Sequence, residues 1–113
     1  MAQSFKVLGQ INPTANSQAN VYSVPVATEA VISTIAICNQ TGSNASYSLI
    51  VIPGNEAFSD PANAKHFVVR GATVPAADTI MLTVGITANT GTLIACNTNS
   101  SNISFSIFGS EIV

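Results

Sequence analysis

The sequence predicts an all-β fold, an antiparallel sandwich or jelly-roll-like domain of about eight strands, on three observations. Apolar residues recur at every second position along most of the chain. Clusters of Asn, Gly, Ser and Thr separate these runs, and Gly and Asn accept the positive φ that tight turns need. Charged residues make up only 7% of the chain, so the Glu, Lys and Arg that coat a solvated helix are missing. Its 113 residues suit one two-layer domain, 1–113, with residues 1–20 able to include an extended N-terminal arm.

From the N-terminus, Ser4–Gln10 and Asn20–Val26 read as strands of irregular pattern. Between them, Ile11–Asn20 has no large apolar residue after Ile11, which predicts a surface loop or a loose arm. Ala30–Cys38 alternates, with Val31, Ile35 and Ile37 expected on one face and Ile32, Thr34 and Ala36 on the other. Ala45–Ile52 follows the turn cluster 39–44. Pro53–Asn63 is a long connection holding Glu56, Phe58 and Asp60, and connections of that length tend to be functional or mobile. One helical turn fits near Pro61–Ala64, with Asp60 as its cap and Pro61 at its first position. Lys65–Arg70, Asp78–Thr87, Thr92–Cys96 and Ile103–Ile107 complete the strands. In the cleanest of them Ile80, Leu82, Val84 and Ile86 point one way, and Met81, Thr83, Gly85 and Thr87 the other.

Charge narrows the partners. Lys6, Lys65 and Arg70 are the only basic residues, on a net charge of −2. A duplex-DNA binder or a polybasic membrane anchor needs more. A neutral hydroxyl and amide surface suits a protein that faces copies of itself or a larger assembly, and also a monomer kept soluble by those groups. The first residues lack the apolar core of a signal peptide, and Ala30–Cys38 is far too short to span a bilayer. Without an export signal, Cys38 and Cys96 are expected as free, buried thiols. The N-x-S/T triplets at Asn39, Asn44, Asn99 and Asn102 are what chance produces in so Asn- and Ser-rich a chain.

No catalytic, cofactor or metal site is expected. His66 is the only histidine, sits in a strand-like run and has no acid within four positions, so neither a nucleophile–base pair nor a zinc site takes shape around it. Glu56 and Asp60 offset Lys65 and Arg70 rather than holding calcium. A glycosidase pair drawn from Glu29, Glu56, Asp60 and Asp78 is not selected by any spacing. A sugar-binding module stays open, although the chain has no Trp and both Tyr22 and Tyr47 lie inside strand runs. The expected partner contacts are Asn12, Pro13 and Asn16 in the first loop and Phe58 in the long one. Phe58 either meets a partner or plugs the end of the sandwich.

Several stretches, taken in order, carry a resemblance. They are Lys6-Val7-Leu8-Gly9-Gln10, Val21-Tyr22-Ser23-Val24-Pro25, and Ala30-Val31-Ile32-Ser33-Thr34-Ile35 with Cys38-Asn39. Lys65-His66-Phe67, Val74-Pro75-Ala76-Ala77-Asp78-Thr79 with Gly85-Ile86-Thr87, and the ending Phe108-Gly109-Ser110-Glu111-Ile112 follow. Together they span nearly the whole chain, and the set resembles small virion structural proteins of tailed bacteriophages, particularly those of cyanobacteria. The resemblance implies a capsid decoration or cement protein, made in the host cytoplasm and placed on the virion exterior. It implies many copies on a symmetric scaffold, a homo-oligomer with a trimer favoured, and the major capsid protein as partner. A tail, neck or fibre component, structural or receptor-binding, is the alternative. No catalytic residue or cofactor comes with it.

Overall fold

The computed structural model describes residues 3–58 and 62–113. Eight strands run in order: β1 (Gln3–Ile11), β2 (Ala19–Ser23), β3 (Glu29–Asn39), β4 (Ala45–Ile52), β5 (Phe67–Val74), β6 (Thr79–Ala88), β7 (Leu93–Thr98) and β8 (Ile103–Ile112). A single 3₁₀ turn, Ala64–His66, precedes β5. The first sheet has the order β1-β8-β3-β6 and the second β2-β7-β4-β5. Every neighbouring pair is antiparallel. Strand β1 thus pairs with β8, β2 with β7, β3 with β6 and β4 with β5. That is one long hairpin wrapped over itself into two facing sheets, a jelly roll.

The core lies between the sheets. Ile32, Ile35 and Ile37 of β3 and Ile103, Phe105 and Ile107 of β8 face Tyr47 and Leu49 of β4 and Ile94 and Cys96 of β7. Tyr47 meets Phe105 edge-on, with ring centroids 6.3 Å apart. A smaller cluster lies on the outer side of the second sheet. There Ile50, Ile52 and Ala95 are covered by Ala62, Phe67 and Leu93. The run Leu49-Ile50-Val51-Ile52 is apolar on both faces because both faces of β4 are covered.

Two expectations shift here. In β3 the buried apolar residues are Ala30, Ile32, Ile35 and Ile37, with Val31 on the other face. The register slips between Ile32 and Thr34 against both neighbours, in opposite senses: Ser33 is an extra residue against β8 but faces both Val84 and Gly85 of β6, and the strand changes parity there. Before β5, Lys65 and His66 belong to the 3₁₀ turn, and the strand begins at Phe67. Asp60 and Pro61, expected to cap and open a helical turn, lie outside the described residues.

The N-terminal segment is not a loose arm among the described residues. Residues 3–11 form β1, an edge strand, and the loop after it is tied down. Asn16 N–H donates to Thr98 O at 2.7 Å, and Ala15 N–H to Ser101 Oγ at 3.1 Å. Asn12, with its carboxamide nitrogen turned inward, donates to Ser101 O at 2.8 Å and Ile103 O at 2.9 Å.

Candidate assembly surface

The expected contact residues lie in two loops, Asn12, Pro13 and Asn16 between β1 and β2 and Phe58 after β4. Pro13 is buried and Asn12 holds its own chain, while Asn16 is exposed but occupies a left-handed turn position with φ of 60°. Asn12 and Asn16 are exposed in that loop. Phe58 is 56% exposed, so it does not plug the sandwich. The connection that carries it supplies Ala62 to the small outer cluster instead.

His66 is also relocated. It is 4% exposed at the end of the 3₁₀ turn, with Nε2 3.1 Å from Glu56 Oε1, an acid ten residues upstream that the loop folds back. Glu56 also takes the Lys65 ammonium at 2.7 Å, and these two hydrogen bonds, Lys65 first, hold its carboxyl below the ordinary range. Buried His66 Nδ1 has no hydrogen-bond partner among the described residues. Arg70 stacks over the Phe67 ring at 4.4 Å. Cys38 is only partly buried, on the outer face of the first sheet. Cys96 is buried in the core, where desolvation pushes its thiol up to about 12, and both are free. Tyr22 and Tyr47 are core residues that offer no ring face to a sugar. Among the described residues no group of three or more His, Cys, Asp or Glu could hold a metal ion. No described helix is long and apolar enough to cross a membrane.

The surface with a built character is the outer face of the first sheet, where β1, β8 and β3 meet. Pairing sets Val7 opposite Phe108 on β8, and Phe5 and Val31 on either side of Ser110. All five point away from the core, which leaves Phe5 81% and Val7 49% exposed. Both flanking strands bulge at the same level, β1 at Leu8 and β3 at Ser33. Bulges increase twist, and here they hollow the face into an open groove of about 610 Å³. Ser33 Oγ donates to Phe108 O at 3.1 Å and locks the rim. Gly109 forms the floor because a Cβ there would collide with the Val31 carbonyl oxygen.

The one cation at the groove, Lys6, is already matched. Its Nζ lies 2.5 Å from Glu111 Oε1, and Tyr22 O–H donates to Glu111 Oε2 at 2.5 Å. The Lys6 hydrogen bond first, and the Tyr22 bond second, hold the Glu111 carboxyl below its ordinary 4.5. Burial, reinforced by the Glu111 carboxylate, pushes the Tyr22 phenol up. The bridge ties β1 and β8 of one sheet to β2 of the other, and it leaves the groove apolar and electrically neutral. Because the unfolded chain takes up the Glu111 proton first on acidification, the stability this pair contributes is complete above about pH 4.5 and is lost as pH falls through the lower folded-state value. A thermal-unfolding series across acidic pH should therefore decline less steeply for Glu111→Gln than for the parent. Equal slopes would remove Glu111 from this role.

Sequence reasoning passed over Phe5, Val7 and Phe108. Alternation alone sets Phe5, Val7 and Ile11 on one face, and it is the bulge at Leu8 that turns Ile11 to the core while Phe5 and Val7 stay outside. Compared with family models, characterised proteins and solved structures, the chain has no match.

Proposed function

We propose that this chain is a non-enzymatic structural subunit of a tailed-phage particle, a decoration or cement protein on the outside of the assembled head. The observation that carries the reading is the neutral apolar groove of β1, β8 and β3. Exposed apolar surface of this kind marks an interaction site, and an uncharged centre ringed by Ser and Gln matches the middle of a protein interface. Three stretches that carry the phage resemblance meet at this groove: Lys6 and Val7, Val31 and Ser33, and Phe108 to Glu111. Jelly rolls serve as capsid and lectin domains alike, so the fold agrees with the reading without selecting it.

The chemistry of the titratable groups points the same way. Glu111 is committed to Lys6 and Tyr22, and Glu56 to Lys65 and His66, as fixed pairs that pin strands and loops. A subunit that binds only the assembled shell stabilises it by mass action, and many copies on one scaffold make modest individual contacts sufficient. Immunogold labelling of purified particles tests the location. Gold over the head surface is the expected result, and gold confined to the tail would replace this reading with a tail or fibre component.

A further inference from the structure

We infer that the free edge of β6 is a self-pairing seam, through which two copies of this chain join β6 to β6, antiparallel, about a two-fold axis at Thr83. A sheet edge displays unpaired N–H and C=O groups, and proteins blunt such edges with charge, Pro, short length or bulges. The edges here are β1, β6, β2 and β5. Strand β1 carries Lys6 and a bulge at Leu8. Strand β2 has five residues and runs on to Pro25. Strand β5 carries Arg70 and a left-handed Gly71 with φ of 68°. Strand β6 has ten residues, Thr-Ile-Met-Leu-Thr-Val-Gly-Ile-Thr-Ala, with neither charge nor Pro. Its one irregularity is a bulge, where Val84 and Gly85 together face the single Ser33 of β3.

The flank beside it is unfinished. Ile80, Leu82, Val84 and Ile86 pack on the core yet remain only half-buried. The sandwich gapes between β6 and β5, leaving an apolar slot of about 150 Å³ walled by Leu49, Val51, Val69, Leu82 and Val84. Met81 is 59% and Val68 53% exposed on the same flank.

A second copy fits because the strand is complementary to itself. About Thr83, Leu82 falls opposite Val84 and Ile80 opposite Ile86, so the partner's apolar side chains close the mouth of the slot. On the outer face Met81 falls opposite Gly85, where a long side chain meets bare backbone, and nothing stands within 4 Å of a Cβ placed on Gly85. Asp78, just before the strand, falls opposite Ala88, which keeps the two Asp78 carboxylates at opposite ends of the seam. Nine paired residues span about 30 Å. Across a domain 19 Å thick, that buries on the order of 1,100 Å² in total, at the lower end of what specific dimers use. Strand β6 lies at the other edge of the sheet from β1, so the seam leaves the groove free and holds whether or not the particle reading does.

Sedimentation equilibrium of the full chain from low to high micromolar concentration tests the seam. A monomer–dimer equilibrium is expected, and Thr83→Lys, which sets like charges opposite one another, should raise its dissociation constant at least about tenfold with thermal unfolding unchanged. A pair of cysteine variants in a Cys38→Ser background tests the register. Thr83→Cys places the two thiols across one rung, within disulfide reach, so oxidised glutathione should convert it to a covalent dimer, the two thiols giving up two protons and two electrons to the glutathione disulfide. Met81→Cys should not couple, because its copies stand about 13 Å apart. A monomer at every concentration, a trimer, undiminished dimerisation of Thr83→Lys, or equal coupling of the two cysteine variants would overturn the inference.

Discussion

Phe105→Ala is expected to lower the free energy of unfolding by about 3–5 kcal/mol, the range for removing a buried aromatic ring. Phe105 is fully buried, near the start of β8, between β1 and β3 and against the edge of Tyr47 across the core. Its neighbours belong to two hydrogen-bonded sheets, so they cannot collapse into the space and a cavity persists. Domains of this size hold only about 5–15 kcal/mol in total. The variant should therefore unfold at far lower urea concentration, with an unchanged denaturant slope. Phe58→Ser supplies the contrast, since its ring is 56% exposed and its loss should change stability by less than about 0.5 kcal/mol. Equal losses for the two would mean that the core has been placed in the wrong layer.

Gly109→Ala is expected to cost about 3 kcal/mol, the upper part of the range for forcing an extra group into a packed interior. The added methyl meets the Val31 carbonyl oxygen, which is backbone and cannot rotate away. Strands β8 and β3 would have to separate at the floor of the groove, so the same single carbon should weaken attachment as well as stability. Gly42 is the control, because nothing stands within 4 Å of a Cβ there, and Gly42→Ala should be close to neutral. Urea unfolding of the two alanine variants side by side reads the difference. A Gly109→Ala protein as stable as Gly42→Ala would show that β8 does not need that close approach.

Most of the strand inventory was legible because half-buried strands alternate, and β4 begins and ends where its pattern does, at Ala45 and Ile52. What escaped is what alternation does not encode. Against β8 Ser33 is a single inserted residue, and one insertion exchanges the faces of everything on one side of it, which is why alternation sets Val31, in place of Ile32, on the face of Ile35 and Ile37. His66 meets Glu56 only because the connection after β4 doubles back, a long-range closure that local spacing does not register. The last strand continues to Ile112 through Gly109 and Glu111, two residues that weaken a strand pattern. They are there for the floor of the groove and for the bridge to Lys6 and Tyr22, so the pattern breaks where the surface is built. Asn39 looked like a turn residue or a chance sequon. Buried at 2% exposure, its carboxamide nitrogen donates to Ser43 O, Val74 O and Pro75 O, and its oxygen accepts from Thr41, clamping two loops together.

The scarcity of charge acquires a place in the fold. It leaves one flank, β6, without the charge or Pro that edges normally carry, and one face, the β1–β8–β3 groove, without a free ion. Both features suit a protein whose neighbours cover it. The groove is proposed as the face that meets the particle. A reconstruction of the particle at a resolution that separates strands tests it most directly. The sandwich is expected on the outer surface of the head with Phe5, Val7 and Phe108 against the shell. A sandwich whose groove faces solvent, or one present only on the tail, would contradict it.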